Sequence, residues 1–139
     1  NAELVGITCD GKRVYGETAK EVIADLKTNG KIAKAKIKSI ARYYIDMQKA
    51  AEQCYKMLNT CGMALFVIGD TEYKGTQIHN SKQLVESLMR CGFNEVLLSK
   101  RKITNKTLSP YRDENGKFTS NKDDREIYHE EFVIIGRKF

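Results

Sequence analysis

The stretch Met63-Ala-Leu-Phe-Val-Ile-Gly69 is a continuous apolar run that ends in glycine. A short apolar run of this kind, without helical periodicity or alternation, is typical of a strand buried on both faces, as in a parallel sheet with helices on either side. We therefore predict that Met63–Gly69 is a central strand of an α/β fold.

A long amphipathic helix is predicted directly upstream of this run. Its apolar residues recur at steps of three or four and would form one stripe: Ile37, Ile40, Tyr44, Met47, Ala51, Cys54, Tyr55 and Leu58. The charged side chains fall mainly off that stripe, so the stripe is interpreted as a core-facing surface. Cys61-Gly62 is expected to end the helix, with Gly62 in the left-handed conformation.

Two more strands and another helix are predicted downstream. After a polar turn from Asp70 to His79, a helix capped by Asn80 or Ser81 runs to Cys91-Gly92. A strand follows within Phe93–Ile103, then a long loop, Thr104–Glu126, and a last strand, Tyr128–Arg137. The first two strands flank a crossover helix and are expected to be parallel, whereas the last follows a loop and is free to return antiparallel.

The amino-terminal part of the sequence has weaker patterns. Residues 1–36 predict a hairpin around Asp10-Gly11 and a helix that Thr18 caps and that ends near Asn29-Gly30. We treat residues 1–36 as a separate segment and residues 37–139 as the main unit. The sequence begins with Asn1 in place of Met, so the remnant of a cleaved tag, a processing product and a fragment of a longer protein all remain open.

Composition indicates one globular domain with an excess of positive charge. The 139 residues are 41% hydrophobic and 30% charged, and they contain only one proline. No apolar run approaches the roughly 18–20 residues that cross a bilayer, so we expect a soluble, cytoplasmic protein without a membrane partner. The 24 Lys and Arg residues exceed the 18 Asp and Glu residues, a net charge of +6 that favours a polyanionic partner.

The positive charge is concentrated in two stretches of the sequence. Six cations and one anion, Asp46, lie between Lys31 and Lys49. A second basic stretch consists of Lys100, Arg101, Lys102 and Lys106. These four residues are our candidates for contacts with nucleic-acid phosphates, although a solvated strand end explains them equally well.

The cysteines, histidines and aspartates do not form a recognisable metal or nucleophile motif. The four cysteines, Cys9, Cys54, Cys61 and Cys91, lack the close spacing of a zinc site and are interpreted as small buried thiols, Cys54 and Cys61 on one helix face. Neither His79 nor His129 lies in a nucleophile context. Asp70 follows a predicted strand, where α/β folds place ligand-contacting groups, but capping the next turn explains it at least as well.

The second half of the sequence resembles the carboxyl half of a class I, S-adenosylmethionine-dependent DNA amino-methyltransferase. Tyr43-Tyr44-Ile-Asp-Met47 and the following Ala50-Ala51 look like the helix before the family's fifth strand. Phe66-Val-Ile-Gly-Asp-Thr-Glu-Tyr-Lys-Gly75 is similar to its "vvGDs.ykG" segment, and Glu131-Phe-Val-Ile-Ile-Gly-Arg-Lys138 to its final strand. The resemblance covers residues 40–138. It implies a partial Rossmann-like sheet of parallel strands with a final antiparallel strand, flanked by helices.

Two motifs of that family are missing from this sequence. The catalytic Asp/Asn/Ser-Pro-Pro-Tyr has no counterpart, because Ser109-Pro110-Tyr111 lacks the second proline and lies between the last two strands. Gly6, Gly11 and Gly16 do not form the close glycine turn that binds the cofactor. We therefore assign no catalytic, cofactor-binding or metal-binding residue in this chain, and expect it to be inactive and free of S-adenosylmethionine on its own.

The resemblance implies that the chain is the carboxyl-terminal part of a methyltransferase that acts on adenine N6 or cytosine N4 of DNA. Residues 103–110 would face the substrate, and an unpaired sheet edge would be covered by the amino-terminal segment or by a second copy of the chain. An alternative is a non-enzymatic basic α/β module that binds nucleic acid or a partner protein. A third hypothesis keeps the methyltransferase and changes the substrate to RNA or a small molecule.

Overall fold

The computed structural model describes residues 6–9, 12–102, 111–113, 115, 117, 119–120, 125–126 and 130–139. The chain starts with the hairpin β1 (Gly6–Cys9) and β2 (Lys12–Tyr15), followed by the helices α1 (Glu17–Asn29) and α2 (Lys34–Met57). Next come β3 (Met63–Ile68), a hairpin of β4 (Thr71–Tyr73) and β5 (Thr76–Ile78), and α3 (Asn80–Cys91). The rest consists of β6 (Glu95–Lys102), β7 (Tyr111–Arg112), β8 (Arg125–Glu126) and β9 (Glu130–Arg137).

The main sheet has the strand order β3-β9-β6, and β9 is antiparallel to both neighbours. Ile135 lies opposite Leu65 on one side and Leu97 on the other. Because β3 and β6 both oppose β9, they run in the same direction without touching each other. The α/β class is thus confirmed, and the last strand is antiparallel. The prediction that β3 and β6 are parallel to each other is confirmed, but every strand pairing in this sheet is antiparallel because β9 inserts between them. The expected Rossmann-like sheet of paired parallel strands is therefore not found in the described residues.

Helices α2 and α3 cover one face of this sheet. Ile134 at the centre of β9 is fully buried and packs in one cluster with Ala51 of α2 and Leu84 and Leu88 of α3. The first half of α2 packs instead against α1, in a second cluster that includes Tyr44 and Ile78. Helix α2 therefore contributes residues to both clusters. The boundary that we predicted between residues 36 and 37 falls inside this helix.

The other face of the sheet is open among the described residues. Met63, Leu65 and Val67 of β3 are between 52% and 59% exposed, and Leu97 of β6 is 46% exposed. The prediction that Met63–Gly69 is a central strand buried on both faces is therefore wrong. Strand β3 is an edge strand, and its apolar run alternates between the helix-covered face and the open face.

The carboxyl ends of α1 and α3 agree with the predicted glycine signals, but the end of α2 and the predicted caps do not. Helix α3 begins after His79, so the prediction that Asn80 or Ser81 caps it is wrong. Gly92 follows α3 with φ 115°, and an added Cβ there would come within 3.1 Å of the Tyr55 ring. Helix α2 ends earlier than predicted, since Leu58 is already extended, and Cys61 rather than Gly62 has positive φ. Thr18 does not cap α1, because its backbone N–H and its hydroxyl both donate to Glu86 of α3.

Candidate nucleic-acid interface

The carboxyl ends of β3 and β6 lie at the same edge of the sheet. Ile68 near the end of β3 and Lys100 near the end of β6 both pair with Phe132 of β9. Helix α2 runs the opposite way to β3, because its last carbonyls, of Tyr55 and Leu58, accept hydrogen bonds from Lys138 just after β9. The start of α2 therefore points toward the carboxyl edge, where α/β proteins usually bind their ligands.

The predicted phosphate-binding cations of β6 lie at this edge and are partly neutralised. Lys100 Nζ is 2.7 Å from Glu130 Oε2, and Arg101 Nη2 is 2.5 Å from Glu131 Oε1. Lys102 is exposed and lies opposite Glu130 in the register. Lys106 and the rest of the predicted substrate-side segment, 103–110, lie outside the described residues. Phosphate binding by Lys100, Arg101, Lys102 and Lys106 stays a prediction. Two of these cations, Lys100 and Arg101, already have a carboxylate partner within the chain.

Asp70, just after β3, accepts a hydrogen bond from the start of α3. Its Oδ1 accepts a hydrogen bond from the backbone N–H of Ser81 at 2.8 Å, and the Asn80 side chain donates to the carbonyl of Gly69 at 3.1 Å. The carboxylate thus satisfies one of the unpaired N–H groups in the first turn of α3. Asp70 thus has a structural contact with the start of α3, rather than with the turn directly after β3 that we expected it to cap.

Tyr44 of α2 is a buried polar side chain whose electrostatic surroundings include Asp70. It is fully buried, and its hydroxyl has no hydrogen-bond partner among the described residues. Burial raises the pKa of this phenol, and the charges of Tyr43 and Asp70 add to the effect. Tyr44 is therefore a neutral core side chain at physiological pH.

The cysteines and histidines of the described residues do not gather into a metal site or an activated nucleophile. Cys91 is half-buried, and burial raises the pKa of its thiol to about 11. Cys54 is also half-buried, whereas Cys61 is exposed and follows the end of α2, so the prediction that Cys54 and Cys61 share a helix face is wrong. His79 is exposed just before α3, and His129 lies outside the described residues.

A separate group of lysines lies where the β4–β5 hairpin meets the connection between α1 and α2. The hairpin turns at Lys74 and Gly75, both with positive φ. Asn29 at the end of α1 donates from Nδ2 to the carbonyl of Lys74 at 2.9 Å, and Lys74 Nζ donates to the carbonyl of Lys31 at 3.3 Å. These bonds hold the hairpin tip against the loop that precedes α2.

The Tyr73 ring adds a third contact at the hairpin tip. Lys36 Nζ is 4.8 Å from its centre and Lys74 Nζ is 5.7 Å from it, both within the range of a cation–π interaction. We call Lys31, Lys34, Lys36 and Lys74 the lysine cluster; all four are exposed. The positive charge of the Lys31–Lys49 stretch is visible in the sequence. The sequence does not predict that Lys74 lies close to these lysines, because residues 71–78 have the pattern of a polar turn rather than of a hairpin.

None of the helices in the described part of the chain is both long enough and apolar enough to cross a bilayer. Comparison of the chain with models of known protein families, with curated proteins and with solved structures found no match.

Proposed function

We propose that the chain is the carboxyl-terminal part of an S-adenosylmethionine-dependent DNA N-methyltransferase that modifies adenine N6 or cytosine N4. The resemblance requires Met63–Gly69 to be a central strand, and the edge position of β3 counts against it unless another part of the protein supplies the neighbouring strand. The observation that carries this proposal is therefore the incomplete sheet: β3 is an edge strand, and the apolar side chains of one sheet face, centred on Leu65, are exposed. An antiparallel sheet commonly leaves one face in water, but that face is then polar, whereas the open face here is apolar. The missing cover and the missing neighbour of β3 are what a polypeptide carrying the rest of the domain would provide.

The order of the elements gives the proposal further support. A strand, a helix and a second strand in the same direction are followed by an antiparallel last strand, which is the order that the resemblance implies. Because β9 lies between β3 and β6, β3 is the outer strand on its side of the sheet. Another strand on that side would pair with the free edge of β3. In this proposal the next strand of the enzyme, which carries the catalytic motif at its end, pairs with β3.

In this proposal the site for S-adenosylmethionine belongs to the rest of the enzyme, and the surroundings of Gly16 support that assignment. Gly16, between β2 and α1, is a glycine at a strand-to-helix turn, which is the position where such a cofactor needs close backbone approach. That space is filled, because an added Cβ on Gly16 would lie 2.6 Å from a carboxylate oxygen of Glu86. In the proposal the cofactor and the target base are bound by the rest of the enzyme, and the base is flipped out of the duplex to reach it.

The test is the reading frame upstream of Glu3 in the gene that encodes this chain. The proposal requires an Asp/Asn/Ser-Pro-Pro-Tyr motif there, and a glycine-rich turn that follows a strand. Calorimetric titration of the chain itself with S-adenosylmethionine should release no binding heat. Stoichiometric binding in the micromolar range, about −8 kcal/mol, would contradict the assignment of the cofactor site to another part of the protein.

The non-enzymatic binding module is the second candidate, because the lysine cluster groups several positive charges that form no salt bridge with the described residues. The two functions differ in how tightly the chain alone should bind DNA. A partial enzyme should bind with the weak affinity of nonspecific contacts, in the range of about 10⁻⁴–10⁻⁶ M. A dedicated module should reach about 10⁻⁸ M at physiological salt.

A further inference from the structure

The lysine cluster places like charges close together at the start of a long helix. Lys34 and Lys36 belong to the first turns of α2, which has no acidic residue in its first turn and no side-chain cap on Ala33. The positive end of the helix dipole disfavours cations at this position. Lys74 then brings another ammonium group to the same place, so the arrangement opposes the stability of the folded chain.

Only some cations of the described residues have carboxylate partners. Arg42 Nε is 3.2 Å from Asp46 Oδ1 one turn further along α2, and Arg137 Nη1 is 3.5 Å from Glu95 Oε2. None of the four cluster lysines forms a salt bridge with a residue that the structure describes, and the same holds for exposed lysines elsewhere on the helices. The cluster differs from those lysines in that several of its ammonium groups lie close together without a carboxylate among the described residues to neutralise them.

The cluster is also held in place. The Lys74 ammonium binds the carbonyl of Lys31, and the Tyr73 ring lies within cation–π distance of Lys36 and Lys74. Lysines from three separate elements thus lie close together: Lys31 of the α1–α2 connection, Lys36 near the start of α2 and Lys74 of the β4–β5 hairpin. Lys34 adds a further charge at the start of the same helix. This surface lies beyond the carboxyl edge of the sheet, the edge at which β6 presents Lys102.

We propose that the lysine cluster is a binding surface for the backbone phosphates of duplex DNA. The choice of DNA as the polyanion rests on the proposed function, whereas the site itself rests on the unneutralised lysines. Phosphate contacts of this kind fix the position and orientation of a duplex without reading its sequence. The cluster therefore orients the duplex at the carboxyl edge of the sheet, and sequence recognition comes from elsewhere.

The test compares two triple variants with the same change in net charge. The first, K34A/K36A/K74A, removes three cluster lysines, and the control, K20A/K49A/K56A, removes three exposed lysines elsewhere on α1 and α2. Binding is measured by fluorescence anisotropy with a labelled 20-base-pair duplex over a range of salt concentrations. We expect the cluster variant to bind at least about tenfold more weakly at about 50 mM salt, with a salt slope smaller by about 2.7 if three phosphate contacts are lost. The control variant should retain most of the affinity and the slope.

Two further variants and one further ligand complete the experiment. K34R/K36R/K74R keeps the charge and should bind like the original chain, and circular dichroism melting should show that every variant is folded. Equal weakening of the cluster variant and the control would overturn the site, and so would full binding by the cluster variant. If single-stranded RNA of the same length binds tenfold more tightly than the duplex, DNA is the wrong polymer. Loss of DNA binding in the cluster variant, together with absence of methyl transfer by the longer protein, would keep the site and remove the proposed enzyme.

Discussion

Leu65 of β3 lies directly opposite Ile135 of β9, yet Leu65 remains 59% exposed. The next residue, Phe66, points to the other face and packs in the cluster formed with α2 and α3. Strand β3 thus has one face whose packed side chains stabilise the fold, and one apolar face whose exposed side chains contribute little to stability. This difference can be measured residue by residue.

The two faces of the sheet should respond differently to truncation. Ile134→Ala removes a fully buried side chain and should lower the free energy of unfolding by about 2–5 kcal/mol. Leu65→Ala should change it by less than about 0.5 kcal/mol, as expected for an exposed position. Urea denaturation followed by circular dichroism gives both values. A cost for Leu65→Ala similar to that for Ile134→Ala would mean that the open face is covered in solution.

The unpaired edge of β3 should promote self-association at high concentration. The strand Met63–Ile68 carries no charge and no proline, the features that commonly protect an edge strand. Sedimentation velocity should show a concentration-dependent dimer that Leu65→Lys abolishes. Met89→Lys changes another exposed apolar side chain, 64% exposed on α3, and should leave the dimer intact. Dissociation by both variants, or no dimer at all, would argue against the β3 edge as the contact.

The contact between Thr18 and Glu86 should contribute to the attachment of α1. Thr18 is buried, and its hydroxyl lies 2.5 Å from the Glu86 carboxylate, a bond between elements 68 residues apart in sequence. Thr18→Val should lower the free energy of unfolding by about 1.5–3 kcal/mol, the range for hydrogen bonds to charged groups. Thr28→Val is the matched control, because the Thr28 hydroxyl is exposed and binds only the Ala24 carbonyl of its own helix. Similar losses for both variants would contradict the importance of this contact.

Cys91 and Cys61 should react with a thiol reagent at different rates. Burial raises the pKa of Cys91 to about 11, so only about one molecule in a thousand carries the reactive thiolate at pH 8, and this fraction rises tenfold with each pH unit until the pH nears 11. Cys61 is exposed and should react first. Peptide mapping after timed treatment with iodoacetamide between pH 7 and 10 gives both rates. A Cys91 rate that equals the Cys61 rate, or that levels off below pH 9, would refute the assignment.

Local patterns in the sequence were sufficient to predict the helices and most strands of this fold. The apolar stripe of α2 and the glycine signals after α1 and α3 act through neighbours in sequence, so they are readable without a structure. The position of β9 between β3 and β6 depends on long-range pairing, which local patterns do not encode. The same limit explains why Thr71–Ile78 was not recognised as a hairpin with a Lys74-Gly75 turn.

The candidate site could be predicted only in part for a similar reason. The basic character of Lys100–Lys102 is visible in the sequence, but Glu130 and Glu131, which pair with two of these cations, are brought alongside only by the strand register. The lysine cluster requires Lys74 to approach Lys31 and Lys36 from another element. Charge clusters assembled by tertiary contacts are therefore found in the structure rather than in the composition.

Methyl transfer by the longer protein that the proposal requires tests the central claim most directly. The measurement is the incorporation of a labelled methyl group from S-adenosylmethionine into duplex DNA, by the protein expressed from the reading frame that includes this chain and its upstream sequence. We predict label in N6-methyladenine or N4-methylcytosine, and no label when residues 1–139 are assayed alone. Absence of label with the longer protein, or incorporation by residues 1–139 alone, would contradict the account.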